Sequence, residues 1–381
     1  MELNDIRNEI DKIDAELIEL YKKRMTLSAR VAEYKRANDI PVLDSSRERD
    51  LLNKVSKLSG EEFEEYSRTL YSTILDLSKS YQHKILGNTS TLYSNIENAV
   101  ENTPKVFPEC ASVACQGVEG AYSQIAAEKL FRLPTITYFS NFNAVFSAID
   151  AKMCRYGILP IENSTAGSVK QVYDLMKEHN FKIVRSVRVK IDHDLLAKKG
   201  TKLSDIKEIY SHEQAINQCQ KFLSTLPRDV KITCVENTAK AALMVSTSDR
   251  NDVASLSSHF CKEQYGLSVI AKHVQDNANN QTRFICITKD LEVYPGADKT
   301  SLMLVTPHKP GSLYKILSRF NSLGINLLKL ESRPIPDSNF EFMFYFDLES
   351  SVYSDRLAQL LSELEQVCED FTYLGTYSEV V

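Results

Sequence analysis

LNDIRNEIDKIDAELIELYKKRMTLSARVAEY, residues 3–34, decides how this chain is organised. Leu3, Ile6, Ile10, Ile13, Leu17, Leu20, Arg24, Leu27, Val31 and Tyr34 recur at alternating steps of three and four. That spacing puts side chains on one stripe of a helix. Every stripe position is apolar or aromatic except Arg24. Extended to residue 38, the helix is roughly 55 Å long at about 1.5 Å per residue. A rod of that length cannot bury its stripe against the short helical stretch that follows. It needs a second copy of itself, so an intertwined homodimer is expected. A guanidinium on a stripe that must be buried costs several kcal/mol unless it is paired. Arg24 therefore either sets register against a core carboxylate or grips a small anion.

The chain of 381 residues exceeds one typical core, which predicts two or three domains. A net charge of −5 and a pI of about 5.9 argue against a nucleic-acid binder, and no basic recognition helix stands out. No run of apolar residues is long enough for a membrane span, and the charged start MELNDIRNEI lacks the apolar core of a signal peptide. The eight cysteines are scattered without a CxxC pair, as expected of reduced thiols in a cytoplasmic protein. No metal and no cofactor are expected.

Composition divides the chain. Residues 1–86 read as helix only. Residues 87–110 have the Asn, Ser, Thr and Pro content of a linker. Over 111–290, short β-branched runs such as YGILPI and TRFICIT alternate with helical stretches, the signature of an α/β domain. YPGADK (294–299) marks a second break. Residues 299–381 read strand, helix, strand, strand, helix, strand, a ferredoxin-like α+β unit.

Arg24 has polar company in the helical part. Arg7 adjoins the stripe at Ile6, and Lys35 follows Tyr34. In VLDSSRERDLL (42–52), Asp44 suits a helix N-cap, with Arg47 and Glu48 in the first turn. A third helix carries Ser78 and Gln82 four apart on one face. Bundles build sites from polar side chains projecting inward from several helices. Several cations with one Glu and one Gln make a cup for a small polyanion that carries a hydroxyl.

The pattern R-x16-R-x10-K, then D-x2-RE, then S-x3-Q resembles the all-α chorismate mutase family over residues 1–86. The resemblance implies that Arg7 reaches in from the partner protomer and that Arg24 and Arg47 bind the two carboxylates of chorismate. Lys35 and Gln82 would contact the ether oxygen, Glu48 with Asp44 the ring hydroxyl, and Ser78 would line the site. The reaction is a unimolecular [3,3] rearrangement. Such a site needs only to hold the reactive conformer and to place donors where charge grows.

The α/β part carries CQGVEGAYSQIAAEKL (115–130), a glycine loop running into a helix that Ser123 is placed to cap. YGILPIENSTAGS (156–168) exposes Glu162, Asn163, Ser164 and Thr165 after a strand, where α/β domains hold ligands. DHDLL brings His193 to a strand end. EIYSHEQAINQC brings Ser211, His212 and Gln218 to another. NNQTRFICIT sets Thr282 and Arg283 at a strand entrance. With ENTAKAA, these ordered motifs resemble prephenate dehydratase, although CQGVEG lacks the family's usual G-P and DVASLSS is a loose version of its Ala-rich stretch. The resemblance implies two lobes similar to periplasmic binding domains, with the site between them. Thr282 would be the central catalytic residue at the departing hydroxyl. Arg283 would orient a carboxylate or the Thr loop, and Asn163, Ser164, Thr165, Ser211 and Gln218 would contact substrate.

At the C-terminus, TPHKPGSLYKIL and NLLKLESRP resemble a phenylalanine-regulated ACT domain. Pro310, Gly311, Ser312, Leu313, Glu331, Ser332 and Arg333 would then bind the effector, and the paired modules offer a second interface for a tetramer. The expected whole is a bifunctional enzyme of phenylalanine biosynthesis, taking chorismate to prephenate and prephenate to phenylpyruvate. The alternatives are an arogenate dehydratase on the same scaffold and a non-catalytic amino-acid sensor.

Overall fold

The computed structural model describes residues 2–38, 40–86, 91–335, 342–368 and 370–381. The chain opens with helices α1 (Leu3–Ala37), α2 (Ser45–Leu86) and α3 (Thr91–Asn102). Next come β1 (Cys110–Gln116), α4 (Tyr122–Leu130), β2 (Leu133–Phe139), α5 (Phe142–Asp150), β3 (Tyr156–Asn163), β4 (Gly167–Ser168), α6 (Lys170–Glu178) and β5 (Lys182–Lys190). The middle holds β6 (Asp194–Ala197), β7 (Glu208–Ser211), α7 (Glu213–Gln218), α8 (Gln220–Leu223), β8 (Lys231–Cys234), α9 (Thr238–Thr247), β9 (Val253–Ser257), α10 (Phe260–Gln264), β10 (Ser268–Ala271) and β11 (Gln281–Thr288). The chain ends with β12 (Lys299–Val305), α11 (Ser312–Ser322), β13 (Asn326–Pro334), β14 (Phe342–Glu349), α12 (Asp355–Val367) and β15 (Asp370–Val380).

Two compact units emerge, and each takes several pieces of the sequence. The first comprises residues 1–97, 306–326 and 353–371, and the second comprises 98–305, 327–352 and 372–381. In the first unit, α1 lies against α2. Gly60 breaks α2 with φ +72°, a left-handed conformation that suits glycine. Near its C-terminus, α2 meets α12: Ser80 Oγ donates to Glu363 at 2.8 Å, and Gln359 Nε2 donates to the Ser80 carbonyl at 3.0 Å. Arg319 of α11 pairs with Glu363 at 3.4 Å. The stripe read from α1 faces outward in the single chain, with Ile13 57% and Leu17 55% exposed.

The second unit contains two sheets. The larger runs β13-β14-β12-β15-β5-β11-β3-β1-β2, with β4 on β3, and the smaller runs β10-β6-β9-β7-β8. In the larger sheet β1 is parallel to β2 and β3, while β11 runs antiparallel between β3 and β5. The near-continuous apolar runs of β3 and β11 fit strands buried on both faces. C-terminal β15 pairs with β5 in parallel, so the sheet continues across the expected break at 294–299. Gly375 permits that closeness, because a Cβ there would sit 2.2 Å from the Ile183 carbonyl oxygen. Val145, Phe146 and Ile149 of α5 share one core with Met303 and Tyr345 of the C-terminal strands. Each large side chain buried in this way contributes about 2 kcal/mol.

Two expectations about connections change. Within the expected linker 87–110, residues 87–90 lie outside the described residues and Thr91–Asn102 is a helix with Ile96 fully buried. Its apolar positions Leu92, Ile96 and Val100 recur every four residues, and that period outweighs the polar composition around them. Phe107 is also buried, with its ring centroid 4.8 Å from that of Tyr294. Tyr294, within the expected break, is buried as well, and so is Val293 before it. Among the described residues no helix is long and apolar enough to cross a membrane.

Candidate functional sites

In the helical unit, Arg24 is half-buried and donates to the Ser78 hydroxyl, which itself donates to the Ile74 carbonyl at 2.8 Å. Two residues 54 positions apart are thus brought together as the polar cup requires. Gln82, one turn beyond Ser78, is buried, and its Oε1 has no partner among the described residues. Lys35 Nζ donates to the Val42 carbonyl at 2.7 Å, which ties the end of α1 to the loop before α2. Asp44 Oδ1 accepts the Arg47 amide at 3.0 Å and so acts as a helix cap. Glu48 meets Lys79 at 2.8 Å, and Lys79 also pairs with Asp76 at 3.1 Å. Lys79 carries no signal in the sequence, because its place between Ser78 and Gln82 says nothing of a carboxylate from the other half of α2. Arg7 and the side chain of Arg47 are exposed in the single chain.

In the second unit a cavity of about 560 Å³ lies between elements of the two sheets. Asn163, Thr282 and Phe284 line it from the larger sheet, and His193, His212, Gln218 and Asn237 from the smaller side. Among the described residues the lining includes neither Lys nor Arg, and its one carboxylate, Glu236, pairs with Lys240 at 2.6 Å. The N-cap residues of α4, α6 and α9, which are Ala121, Val169 and Asn237, all face the cavity. The positive ends of three helix dipoles are therefore directed at the cleft. Ser123 does not cap α4 as expected. Its hydroxyl donates instead to the Gln116 carbonyl at 2.8 Å.

Asn163 organises the chemistry of the cleft. Its Oδ1 accepts the amides of Thr165 and Ala166 at 3.0 and 2.8 Å, which fixes the orientation of the side-chain amide. Its Nδ2 then donates to Asn280 Oδ1 at 2.8 Å and to Thr282 Oγ1 at 2.9 Å. Thr282 Oγ1 thus accepts one hydrogen bond and keeps its own hydrogen to donate, and its side chain lines the cavity. Asn280 Nδ2 in turn donates to Gln218 Oε1 at 3.1 Å, and His193 Nε2 lies 3.2 Å from the same oxygen. Asn280 was hidden in a polar run whose members look alike until one of them is buried.

Four expected cleft contacts fall elsewhere. Thr282 and Phe284 line the cavity, and strand alternation turns the intervening Arg283 to the other face. There Arg283 pairs with Asp347 of β14 and lies 3.6 Å from Glu162. Burial is the largest single influence and opposes its charge, but the Asp347 carboxylate with Tyr377 and Tyr345 together outweigh it and hold its pKa above the ordinary value. Ser211 is buried and donates to the Leu256 carbonyl at 2.8 Å, so it secures β7 to β9. Ser164 Oγ accepts the Gln281 amide at 3.0 Å, and Thr165 Oγ1 reaches Asn280 Oδ1 at 3.3 Å, so both shape the loop rather than line the cavity.

Among the expected effector residues, Gly311 has φ +81° and stands at the N-cap of α11, where Pro310, Ser312 and Leu313 adjoin it. Glu331 Oε2 accepts from Ser168 at 2.6 Å, and Arg333 makes two hydrogen bonds to Asp174 at 3.0 and 2.8 Å. Ser332 is exposed.

Residues 6–83 match the model of the chorismate mutase type II family, and residues 113–292 match that of prephenate dehydratase. A bifunctional chorismate mutase/prephenate dehydratase of Escherichia coli is 30% identical over 98% of this chain and 95% of its own length. A chloroplastic arogenate dehydratase/prephenate dehydratase of Arabidopsis thaliana is 35% identical over 70% of this chain and 72% of its own. A crystal structure of prephenate dehydratase from Arthrobacter aurescens in complex with L-Phe is also similar. It covers 70% of this chain and 90% of its own at 29% identity, with a TM-score of 0.63.

Proposed function

The chain belongs to the bifunctional chorismate mutase/prephenate dehydratase family, and from that premise we propose which of its residues perform each step. It is an enzyme of phenylalanine biosynthesis that rearranges chorismate to prephenate and converts prephenate to phenylpyruvate.

For the mutase step, Arg24 and Arg47 hold the two carboxylates of chorismate, with Arg7 arriving from a second copy of the chain. Lys35 and Gln82 donate to the ether oxygen as its bond breaks, which lowers the barrier by stabilising growing negative charge. The unpartnered polar end of buried Gln82 supports that role. Glu48, with Asp44 near it in sequence, holds the ring hydroxyl, and Ser78 positions Arg24. The exposed apolar stripe of α1 supports a homodimer.

For the dehydratase step, the observation that carries the reading is the double donation of Asn163, which leaves the Thr282 hydroxyl hydrogen for the leaving oxygen. Helix N-termini hold the carboxylates of prephenate, and Gln218 and Asn280 keep Asn163 in place. Residues 299–381 form an ACT-type regulatory module that binds phenylalanine through Pro310–Leu313 and Glu331–Arg333. The strand order β13-β14-β12-β15 is that of a ferredoxin-like sheet and supports this reading. Eight unbridged cysteines support action in the cytoplasm.

The test supplies chorismate to the full chain and follows prephenate, then phenylpyruvate, with and without phenylalanine. Thr282→Val should keep mutase turnover and lose phenylpyruvate formation by about 100-fold or more. Retained dehydratase activity removes Thr282 from the mechanism. A phenylalanine titration that leaves kinetics and Tm unchanged removes the regulatory reading. Arogenate, run beside prephenate, decides the dehydratase substrate.

A further inference from the structure

Behind the residues that face the dehydratase cavity, the larger sheet carries charges that the reading above leaves without a task. In the ladder of β3 with β11, Asn163 stands opposite Thr282 and Glu162 opposite Arg283. In that of β3 with β4, Glu162 stands opposite Ser168. Paired residues of an antiparallel ladder project to one face, and their chain neighbours project to the other. Asn163 and Thr282 therefore share the cavity face, while Glu162, Arg283 and Ser168 share the reverse face. Strand β13 meets that reverse face. Its residues alternate between exposed and half-buried, and Lys329, Glu331 and Arg333 belong to the half-buried set.

All three side chains close on one stretch of chain, 162–174. Lys329 Nζ lies 2.8 Å from Glu162 Oε1 and donates to Ser168 Oγ at 2.9 Å, and its side chain is only 12% exposed. The Ser168 hydroxyl gives its own hydrogen to Glu331 Oε2 at 2.6 Å. Arg333 is bound twice to Asp174 of α6. Glu162 is further approached by Arg283 at 3.6 Å, so two cations converge on it. Charges held this far from water are expensive compared with apolar contacts of the same size. What they supply is a fixed register of β13 against this stretch, whose residues 166–169 form part of the cavity wall.

Resting on the dehydratase reading, we propose that Lys329 is a positioning residue for that step, holding the stretch 162–168 so that Asn163 meets Thr282 in the right place. The route is short. Lys329 fixes Glu162, the chain neighbour of Asn163 on the opposite face. It also fixes Ser168, with help from Glu331, and so closes the loop whose Thr165 and Ala166 amides orient the Asn163 side chain. Asn163 Nδ2 then donates to Thr282 Oγ1 at 2.9 Å. A displacement of about 1 Å in such a constellation can cost about 100-fold in rate. Lys329 acts only through these neighbours, from the face turned away from the cavity. The C-terminal strand thus supports the dehydratase site directly, in addition to any part it takes in regulation.

The experiment compares Lys329→Met with wild type in the full chain without phenylalanine, at a temperature where thermal unfolding shows both to be folded. Dehydratase kcat should fall about tenfold with KM for prephenate within about threefold. Lys329→Arg, which can reach Glu162 again, should recover most of the loss. Glu162→Gln should lower kcat by a similar factor, and the double variant of Lys329→Met with Glu162→Gln should be no slower than the worse single one, since both cut the same link. An unchanged kcat, a loss confined to KM, no recovery by Lys329→Arg, or losses that multiply in the double variant overturn the proposal. If Lys329→Met does not fold, Ser168→Ala decides: kcat should fall with KM kept, and an unchanged kcat overturns the proposal. Wild-type protein that forms no phenylpyruvate would instead defeat the dehydratase reading itself.

Discussion

Residues that act through one partner each were readable in order along the chain, and residues defined by burial were not. Thr282, Asn163 and Gln218 sit in recognisable motifs and meet around one cavity. Asn280, Lys79 and Asp347 have no sequence signal, because each gains its meaning from a group far away in the chain. The place of Arg283 follows from its neighbour. If Thr282 faces the cleft, the next strand residue faces away, and strand alternation alone says so. His83 offers a test of burial in the first unit. Desolvation, reinforced by Arg319 and Lys79, lowers its pKa from 6.5 to about 4. The folded state then binds fewer protons than the unfolded one between those values. Stability is complete above the unfolded pKa and fades as pH falls from 6.5 towards 4. After discounting for solvent near the ring, the loss is roughly 2 kcal/mol. Urea unfolding across this window should show a steeper decline for wild type than for His83→Gln, and parallel declines would refute the assignment.

Elements were legible where a period was long and unbroken. The three-four alternation of α1 and the strand-helix order after residue 299 both appear in the structure. Helix α3 was masked because Asn, Ser and Thr dominate its composition, and only its four-residue period betrays it. The junction of β15 with β5 was beyond sequence reading, since nothing local announces a pairing between residues nearly two hundred positions apart. Gly375 is the position at which that junction can be tested. Gly375→Ala places a methyl group against the Ile183 backbone and should destabilise the dehydratase unit by about 2 kcal/mol. Thermal unfolding followed through loss of dehydratase turnover would register this as a lower midpoint. An unchanged midpoint would mean that the strands separate without cost.

For the whole molecule, the outward stripe of α1 is the feature with the largest consequence. Several large apolar side chains in one line, each about half exposed, are more than an isolated helix face usually presents to water. Ile13→Glu with Leu17→Glu should convert the proposed homodimer into monomers in sedimentation, abolish mutase turnover and spare the dehydratase. A double variant that sediments like wild type with full mutase activity would remove the second copy from the site. The domain plan read from the sequence was serial, with helices, then an α/β part, then a regulatory part. The structure is interleaved, because α11 and α12 group with the helical unit while the strands around them group with the other.

That interleaving bears on how the protein is made. Residues 1–97 leave the ribosome well before the pieces 306–326 and 353–371 that complete their unit. At 5–20 residues per second, the wait for the first of these pieces is roughly 10 to 40 s. During that time the earliest helices have no Glu363 or Arg319 to meet. The apolar stripe of α1 has by then emerged, so in the proposed homodimer two nascent chains on neighbouring ribosomes of one message could join there before residues 306–326 of either are made.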